Sequence, residues 1–303
     1  RFTIELEEGV CPNPTLKHSL ELTAQDVLTD LQERFGGAPP EVYPIRIRHG
    51  DHPHVDVPTD HVFHIQLGHT LDHPDYARFV YELGHELGHV MIGVTPDDGD
   101  GVQEIIPTMA SLQALDDLHQ KWAISPPYPN FQDYHSSFDS YRASEEADRM
   151  RSFPQAVQAA VRDRRWYGVS LYLRYHIKEM DADVESAQSR DLQCLAAILL
   201  RANGVALSDL LGYEAHLQAF KAGSGSDPTK APSSARMLHL VGRNLPTDLL
   251  VAQLPAAPEA ENGFAFQEGG HWIWLGECAH GDSAAVNQAI QALHPPTLEI
   301  RTP

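Results

Sequence analysis

The stretch from Asp75 to Val94 constrains this chain most, because it predicts a long amphipathic helix. Its apolar residues recur at steps of three and four, which at about 100° per residue gather into one stripe. The same stretch contains the array His85-Glu86-x-x-His89. The two histidines are four residues apart, so they share one helical face, largely away from the apolar stripe. A helix that is buried on one side and presents two imidazoles on the other is what a zinc site needs.

Glu86 follows the first histidine directly, where a carboxylate can act as general base toward a metal-activated water. We therefore expect Zn²⁺ as the cofactor and Glu86 as the catalytic residue. A catalytic zinc takes three protein ligands plus a water molecule, so a third ligand must come from elsewhere in the chain. Carboxylates that follow the motif are the candidates for this ligand: Glu104, Glu145, Glu146 and Glu179.

Glu179 is favoured by the acid that follows it. The segment Ser170–Gln188 has the pattern of one continuous helix, and this places Asp183 one turn after Glu179 on the same face. A second acid at this spacing can orient a histidine ligand. The alternatives lack an acid at the same spacing, but the sequence leaves them open: Glu104, Glu145 and Glu146.

The motifs HELGH at 85–89 and KEMDAD at 178–183 resemble those of the gluzincin metallopeptidases of the CAAX prenyl protease type I and HtpX type. Members of that family carry H-E-x-x-H and, farther along, a Glu-x-x-Ala-Asp motif. The resemblance covers about residues 75 to 243, and it implies a soluble form of the family. By motif position it implies His85, His89 and Glu179 as zinc ligands, with Asp183 supporting them.

A third motif of that family, His-Pro followed by Arg and an aliphatic residue, is matched only in part. This chain has Ala231-Pro232 and Arg236-Met237 at the corresponding positions, so the histidine is missing. The resemblance implies that Arg236 pairs with Asp183. For a donor that stabilises the oxyanion, the candidates are His176, Arg236 and His239.

The predicted fold is α+β, with a predominantly helical, zincin-like metalloprotease core and a small N-terminal sheet next to the motif helix. The strand His61–Leu67 enters that helix, which is the usual zincin order, and an edge strand there can pair with an extended peptide. The Pro- and aromatic-rich connection from Ser125 to Tyr141 is expected to cover the cleft. The chain divides into a strand-rich part of the catalytic domain, a helical core with both motifs, and a small α/β appendage: 1–74, 75–243 and 244–303.

Composition limits the partners of the protein. The 303 residues are 42% hydrophobic and 21% charged, as in soluble globular proteins. The net charge of −20, without a cluster of Lys and Arg, argues against nucleic acid as a partner. No apolar run is long enough to predict a transmembrane segment. Three widely spaced cysteines argue against a disulfide framework and favour a reducing compartment, so we expect a cytoplasmic protein.

The expected function is that of a zinc-dependent peptidase that hydrolyses a peptide or protein substrate. Two alternatives stay open. One is a zincin-like scaffold that binds a metal or a partner without hydrolysis, although such a scaffold has no need of Glu86. The other is a toxin or effector protease with the same chemistry. The sequence does not predict the substrate or the oligomeric state.

Overall fold

The computed structural model describes residues 3–37, 44–56, 62–68, 71–73, 75–93, 101–183, 186–210, 247–258, 263–279 and 281–301. These residues form two compact units. The first contains the described residues up to 147 together with 206–210, and the second contains 148–205 and 247–301. The fold is mixed α and β and predominantly helical, as predicted. None of the helices in the described ranges is long and apolar enough to cross a membrane. The division of the chain into three parts at residues 74 and 243, which the sequence predicts, stays a prediction.

The first unit contains a four-stranded sheet of order β1-β2-β4-β3. Its strands are β1 (Ile4–Leu6), β2 (Ile45–His49), β3 (His54–Asp56) and β4 (Phe63–Leu67). The strands β1, β2 and β4 run parallel, whereas β3 pairs with β4 in the antiparallel direction. The strand that leads to the motif helix, β4, is therefore flanked on both sides. The sequence allowed this strand to be an edge, but the edges of the described sheet are β1 and β3.

In the described residues this sheet is accompanied by the helices α1 (Pro14–Arg34), α2 (Tyr76–Ile92), α3 (Gly101–Ile124) and α4 (His135–Met150), and residues 207–210 are helical as well. From the sequence a helix is expected over Thr23–Phe35 with Thr23 as its N-cap, which starts α1 too late. The structure starts this helix at Asn13, whose side chain accepts hydrogen bonds from the backbone N–H groups of Thr15 and Leu16. An Asn cap followed by Pro14 is the stronger start signal. Thr23 is buried inside the helix, and its hydroxyl donates to the Ser19 carbonyl oxygen.

The connection that follows α3 packs against the beginning of α2. Its 3-10 helix, Pro129–Tyr134, places the rings of Phe131 and Tyr134 each 5.2 Å from the ring of Tyr76. Tyr76 precedes His85 by nine residues, which is about 13 Å along a helix axis. This part of the connection therefore covers the first turn of α2 and not the histidines. Its last predicted residue, Tyr141, belongs to α4.

In the described part of the second unit, five helices accompany an antiparallel sheet of order β6-β7-β5-β8. The sequence predicts a hairpin at Phe264–Leu275, a helix at Ser283–Leu293 and a terminal strand at Thr297–Arg301, and all three are confirmed. It does not predict the central strand, Thr247–Leu254. One side of α9 packs through Val286 and Ala289 against a core that includes Leu250 and Trp274 of the sheet. The elements of this unit are α5 (Gln155–Arg162), α6 (Trp166–Tyr175), α7 (Ile177–Ala182), α8 (Ala187–Ala202), α9 (Ser283–Leu293), β5 (Thr247–Leu254), β6 (Phe264–Glu268), β7 (His271–Ala279) and β8 (Thr297–Arg301).

The segment predicted as one helix, Ser170–Gln188, is divided among α6, α7 and the start of α8. Asp183 follows the end of α7 with an extended backbone, at φ −152° and ψ 90°. Ser186 begins α8 as its N-cap, because its side chain accepts a hydrogen bond from the Ser189 N–H. Glu179 and Asp183 therefore do not share one continuous helical face, and the reason for preferring Glu179 over the alternatives is removed.

Candidate metal centre

The motif helix α2 begins and ends close to the predicted positions. Asp75 caps its start by accepting a hydrogen bond from the Arg78 N–H. Gly93 ends it in the left-handed region, at φ 71°, which glycine adopts without strain. The predicted apolar stripe is buried and includes Phe79 and Leu83. The helix is thus held in the core on one side, and the orientation of its histidines is fixed.

Two glycines set the close approach of α2 to α3. A Cβ atom added at Gly88 would lie 2.6 Å from the Cα atom of Pro107, which is closer than real Cβ atoms come. A Cβ atom added at Gly84 would lie 3.0 Å from the Cα atom of Ser111. The absence of side chains at these two positions allows the backbones to pack together. The start of α3 is consequently brought alongside the second half of α2.

Glu104 lies in the first turn of α3 and reaches both histidines of the motif. Its Oε2 atom is 3.1 Å from Nε2 of His85, and its Oε1 atom is 3.6 Å from Nε2 of His89. One ligand atom from each of the three residues lies within 4.8 Å of the others. In the part of the chain that the structure describes, this is the one group of three His, Cys, Asp or Glu residues arranged to hold a metal ion.

Glu82 anchors the sheet to α2 next to this group. Its Oε2 atom accepts a 2.9 Å hydrogen bond from the backbone N–H of Gly68, directly after β4. Its Oε1 atom accepts a 2.7 Å hydrogen bond from Nε of Arg78, one turn earlier on α2. The carboxylate is thus shared between a helix and a strand end. It fixes β4 beside the part of α2 that carries His85, Glu86 and His89.

Glu86 is buried, with 2% of its surface exposed. Burial raises the pKa of its carboxyl group to about 8, and the nearby Glu104 and Glu82 carboxylates add to this shift, whereas His85 opposes it. Its Oε2 atom has no hydrogen-bond partner among the described residues. A buried carboxylate oxygen needs a hydrogen-bond donor, and a water molecule next to the group of His85, His89 and Glu104 can supply one.

The pKa shifts of His85, His89 and Glu104 follow from burial and from the contacts among these three residues. Burial raises the pKa of Glu104, but its hydrogen bonds with His85 and His89 outweigh burial and hold the pKa well below its usual range. Burial lowers the pKa of His85, and the Glu104 carboxylate reverses this to a net increase. Burial dominates at His89, whose pKa is lowered. The cluster therefore contains an ionised carboxylate that faces two imidazole nitrogens.

This donor set fits zinc. Two imidazole nitrogens and one carboxylate are among the three-ligand sets of catalytic zinc sites, which leave a further position for water. The unpaired Glu86 oxygen lies in the residue next to His85, where a general base is needed. The three ligand atoms already lie close to one another. Binding a cation therefore requires little rearrangement.

The predicted ligand Glu179 belongs to the second unit. Its side chain is 46% exposed, and its Oε2 atom lies 3.9 Å from Nδ1 of His176. Asp183 is exposed as well. The group among the described residues that could hold a metal ion contains Glu104 and does not contain Glu179. The assignment of Glu179 as a ligand and Asp183 as its support stays a prediction without a supporting contact.

The other predicted residues have local partners or fall outside the described ranges. Glu145 is a hydrogen-bond partner of Tyr141, and Glu146 binds Nη1 of Arg142 at 3.1 Å. His176 is buried in the second unit. The remaining two, Arg236 and His239, lie outside the described residues.

One feature of the sequence favours Glu104 as the third ligand, namely its position directly after a short connection between two helices. Only eight residues separate Ile92, the end of α2, from Gly101, the start of α3. A short connection between two helices makes them antiparallel neighbours, so the first turn of the second faces the last turns of the first. An acid in that first turn is therefore close to a histidine near the end of the preceding helix.

No protein-family model matches this chain, and no curated protein sequence matches it either. The geometry of the His-His-Glu group and the buried Glu86 are therefore the observations that bear on function. The resemblance to the CAAX prenyl protease type I and HtpX families stays a prediction from two short motifs.

Proposed function

We propose that this protein is a zinc-dependent peptidase in which His85, His89 and Glu104 hold the metal and Glu86 is the general base. The observation that supports the proposal is the convergence of the three ligand atoms within 4.8 Å of one another, beside a buried carboxylate. When bound, zinc would polarise the scissile carbonyl group and lower the pKa of a coordinated water toward 7.

Glu86 would accept a proton from the attacking water through its unpaired Oε2 atom and pass that proton to the leaving amine. A general base works best when its pKa lies near the operating pH. Burial, together with the nearby carboxylates, raises the pKa of Glu86 to about 8, and a nearby cation lowers the pKa of a carboxyl group. The two effects together would hold Glu86 in a range where it both takes up and releases a proton.

The fold that we propose for the first unit is a zincin-like core. Its support is the motif helix α2, the preceding sheet attached through Glu82, and the second helix α3 that brings Glu104. In this arrangement the third ligand follows the motif after one short connection. The proposal keeps the gluzincin ligand set of two histidines and a glutamate, with Glu104 in the place that the sequence analysis gave to Glu179.

The test of this proposal is Glu86→Gln in zinc-loaded protein. The amide keeps the size of the side chain but cannot accept the proton, so hydrolysis of peptides should fall by about 10²- to 10⁴-fold while zinc stays bound. Glu146→Gln is a matched control, because Glu146 pairs with Arg142 on α4 and should leave both quantities unchanged. Cleavage is measured with a mixed library of unstructured peptides, and zinc by elemental analysis.

Two outcomes would contradict the proposal. Zinc-loaded wild type that cleaves no peptide of the library would favour a non-catalytic metal-binding scaffold. Hydrolysis that persists in Glu86→Gln would show that another group is the base.

A further inference from the structure

A pair of aromatic rings lies next to the metal centre on the same side of α2. Tyr81 precedes His85 by four residues, so the two side chains lie on one helical face, one turn apart. The ring of Tyr81 contacts the ring of Tyr141 on α4, at 5.7 Å between centroids and an interplanar angle of 53°. Both side chains are partly exposed. The pair therefore borders the position where a substrate must approach His85.

The polar groups around this pair have partners of their own. Glu145 is a hydrogen-bond partner of the Tyr141 hydroxyl, and burial raises the pKa of Tyr141 well above its usual range. Glu82 is neutralised by Arg78 and by the Gly68 N–H. Because the hydroxyl of Tyr141 and the Glu82 carboxylate are engaged in this way, the two rings offer mainly apolar and aromatic surface.

We infer that Tyr81 and Tyr141 form a specificity-determining subsite next to the metal centre, which takes an aromatic or large aliphatic side chain of the peptide beside its scissile bond. This inference rests on the proposed peptidase function. Tilted aromatic pairs bind a third ring through edge and face contacts, in addition to the apolar area that is buried.

A basic side chain is the less suitable occupant. Arg78 already supplies a cation at this site and holds the Glu82 carboxylate at 2.7 Å, and the other carboxylate there, Glu145, is engaged by the Tyr141 hydroxyl. A second cation would be repelled by Arg78 and would lose its hydration. The structure thus favours an apolar substrate residue over Lys or Arg, despite the net charge of −20.

The preference can be measured without turnover, by binding to zinc-loaded Glu86→Gln protein. The probe is a peptide that wild type cleaves, synthesised with Ala or Phe at each of the two residues on either side of the cleaved bond. At one of these positions Phe should lower the Kd by about 10-fold relative to Ala, the usual size of a discriminating aromatic or apolar contact. Tyr141→Ala and Tyr81→Ala, each combined with Glu86→Gln, should reduce this ratio to about 2 or less.

Two further variants separate the ring from its hydroxyl and from general effects on α2. Tyr141→Phe keeps the ring and should keep the preference for Phe. Tyr134→Ala removes a tyrosine that packs on Tyr76, at the other end of α2, and should also keep the preference. Zinc content of each variant shows that the fold and the metal site are intact, and Tyr81→Leu retains apolar volume if Tyr81→Ala does not fold.

The results distinguish failure of the subsite from failure of the peptidase. If wild type cleaves peptides and the Phe preference is absent, or persists in both alanine variants, the subsite is wrong and the peptidase stands. A preference for Lys or Arg at these positions would likewise overturn the inference. If wild type cleaves no peptide, both the proposed function and the subsite fail.

Discussion

Each unit of the molecule contains a group of histidine and glutamate side chains, and the two groups differ in geometry. In the first unit the Nε2 atoms of His85 and His89 both approach the carboxylate of Glu104, at 3.1 and 3.6 Å. In the second unit a single imidazole lies between two carboxylates. Glu179 approaches Nδ1 of His176 at 3.9 Å, and Glu268 approaches Nε2 at 3.3 Å.

The comparison shows that residue types alone do not make a metal site. A chelating group needs ligand atoms that converge on one point, and the first group has this arrangement. The two nitrogens of an imidazole point in opposite directions, so the two carboxylates of the second group cannot share a cation with the same nitrogen. His176 is instead packed among the rings of Tyr172, Tyr175 and Phe266, and burial lowers its pKa.

The largest expected effect is on metal affinity. Glu104→Ala removes one of three ligands and should weaken zinc binding by more than about 100-fold, since even changes to residues behind the ligands cost about 10- to 100-fold. Glu179→Ala should leave zinc affinity within about 2-fold of wild type. Titration with a competing chelator measures both values. The reverse pattern, with full affinity in Glu104→Ala, would return the third ligand to Glu179.

A smaller effect is expected when a substitution disturbs the packing of α2 against α3, which brings the three ligand atoms together. Gly88→Ala places a Cβ atom 2.6 Å from the Cα atom of Pro107, so α2 and α3 must separate. The free energy of unfolding should fall by about 1–3 kcal/mol, as for other overpacked positions, and zinc affinity should fall with it. Chemical denaturation of the metal-free protein measures the first quantity.

Gly84→Ala is the matched comparison for that variant. Both variants gain about 1 kcal/mol of helix propensity, but the Cβ atom added at Gly84 would lie 3.0 Å from the Cα atom of Ser111, a less severe approach than the 2.6 Å at Gly88. It should therefore be less destabilising than Gly88→Ala. Equal stability of Gly88→Ala and wild type would contradict the account of helix approach.

The smallest effect on stability and hydrolysis is expected from a substitution of His176 in the second unit. His176→Phe replaces a buried ring, whose nitrogens lack hydrogen-bond partners among the described residues, with an apolar ring of similar shape. The free energy of unfolding should change by less than about 1.5 kcal/mol, and hydrolysis should persist. A loss of about 10²- to 10³-fold in hydrolysis would instead identify His176 as an oxyanion donor, as the sequence analysis allowed.

The sequence predicted the parts of the site that depend on local spacing. The period of α2 placed His85 and His89 on one face, and the same reasoning located α9 and β8 with the bounds that the structure shows. Such predictions succeed because side-chain direction follows from the helical or strand period alone.

The local pattern of the sequence does not predict features that depend on a long-range contact or on a helix break. Glu179 was favoured because Asp183 was placed on the same continuous helix, and that helix is interrupted at His176 and again after Ala182. The role of Glu104 depends on the packing of Gly88 against Pro107, which no periodicity within one segment reveals. A pattern for one helix does not tell which helix lies next to it.

The most direct test of the central claim is anomalous diffraction at the zinc absorption edge from crystals of the zinc-loaded protein. The account predicts one peak at bonding distance, about 2.0–2.2 Å, from Nε2 of His85, Nε2 of His89 and a carboxylate oxygen of Glu104. A peak bonded to Glu179 in place of Glu104, or no peak between His85 and His89, would contradict it.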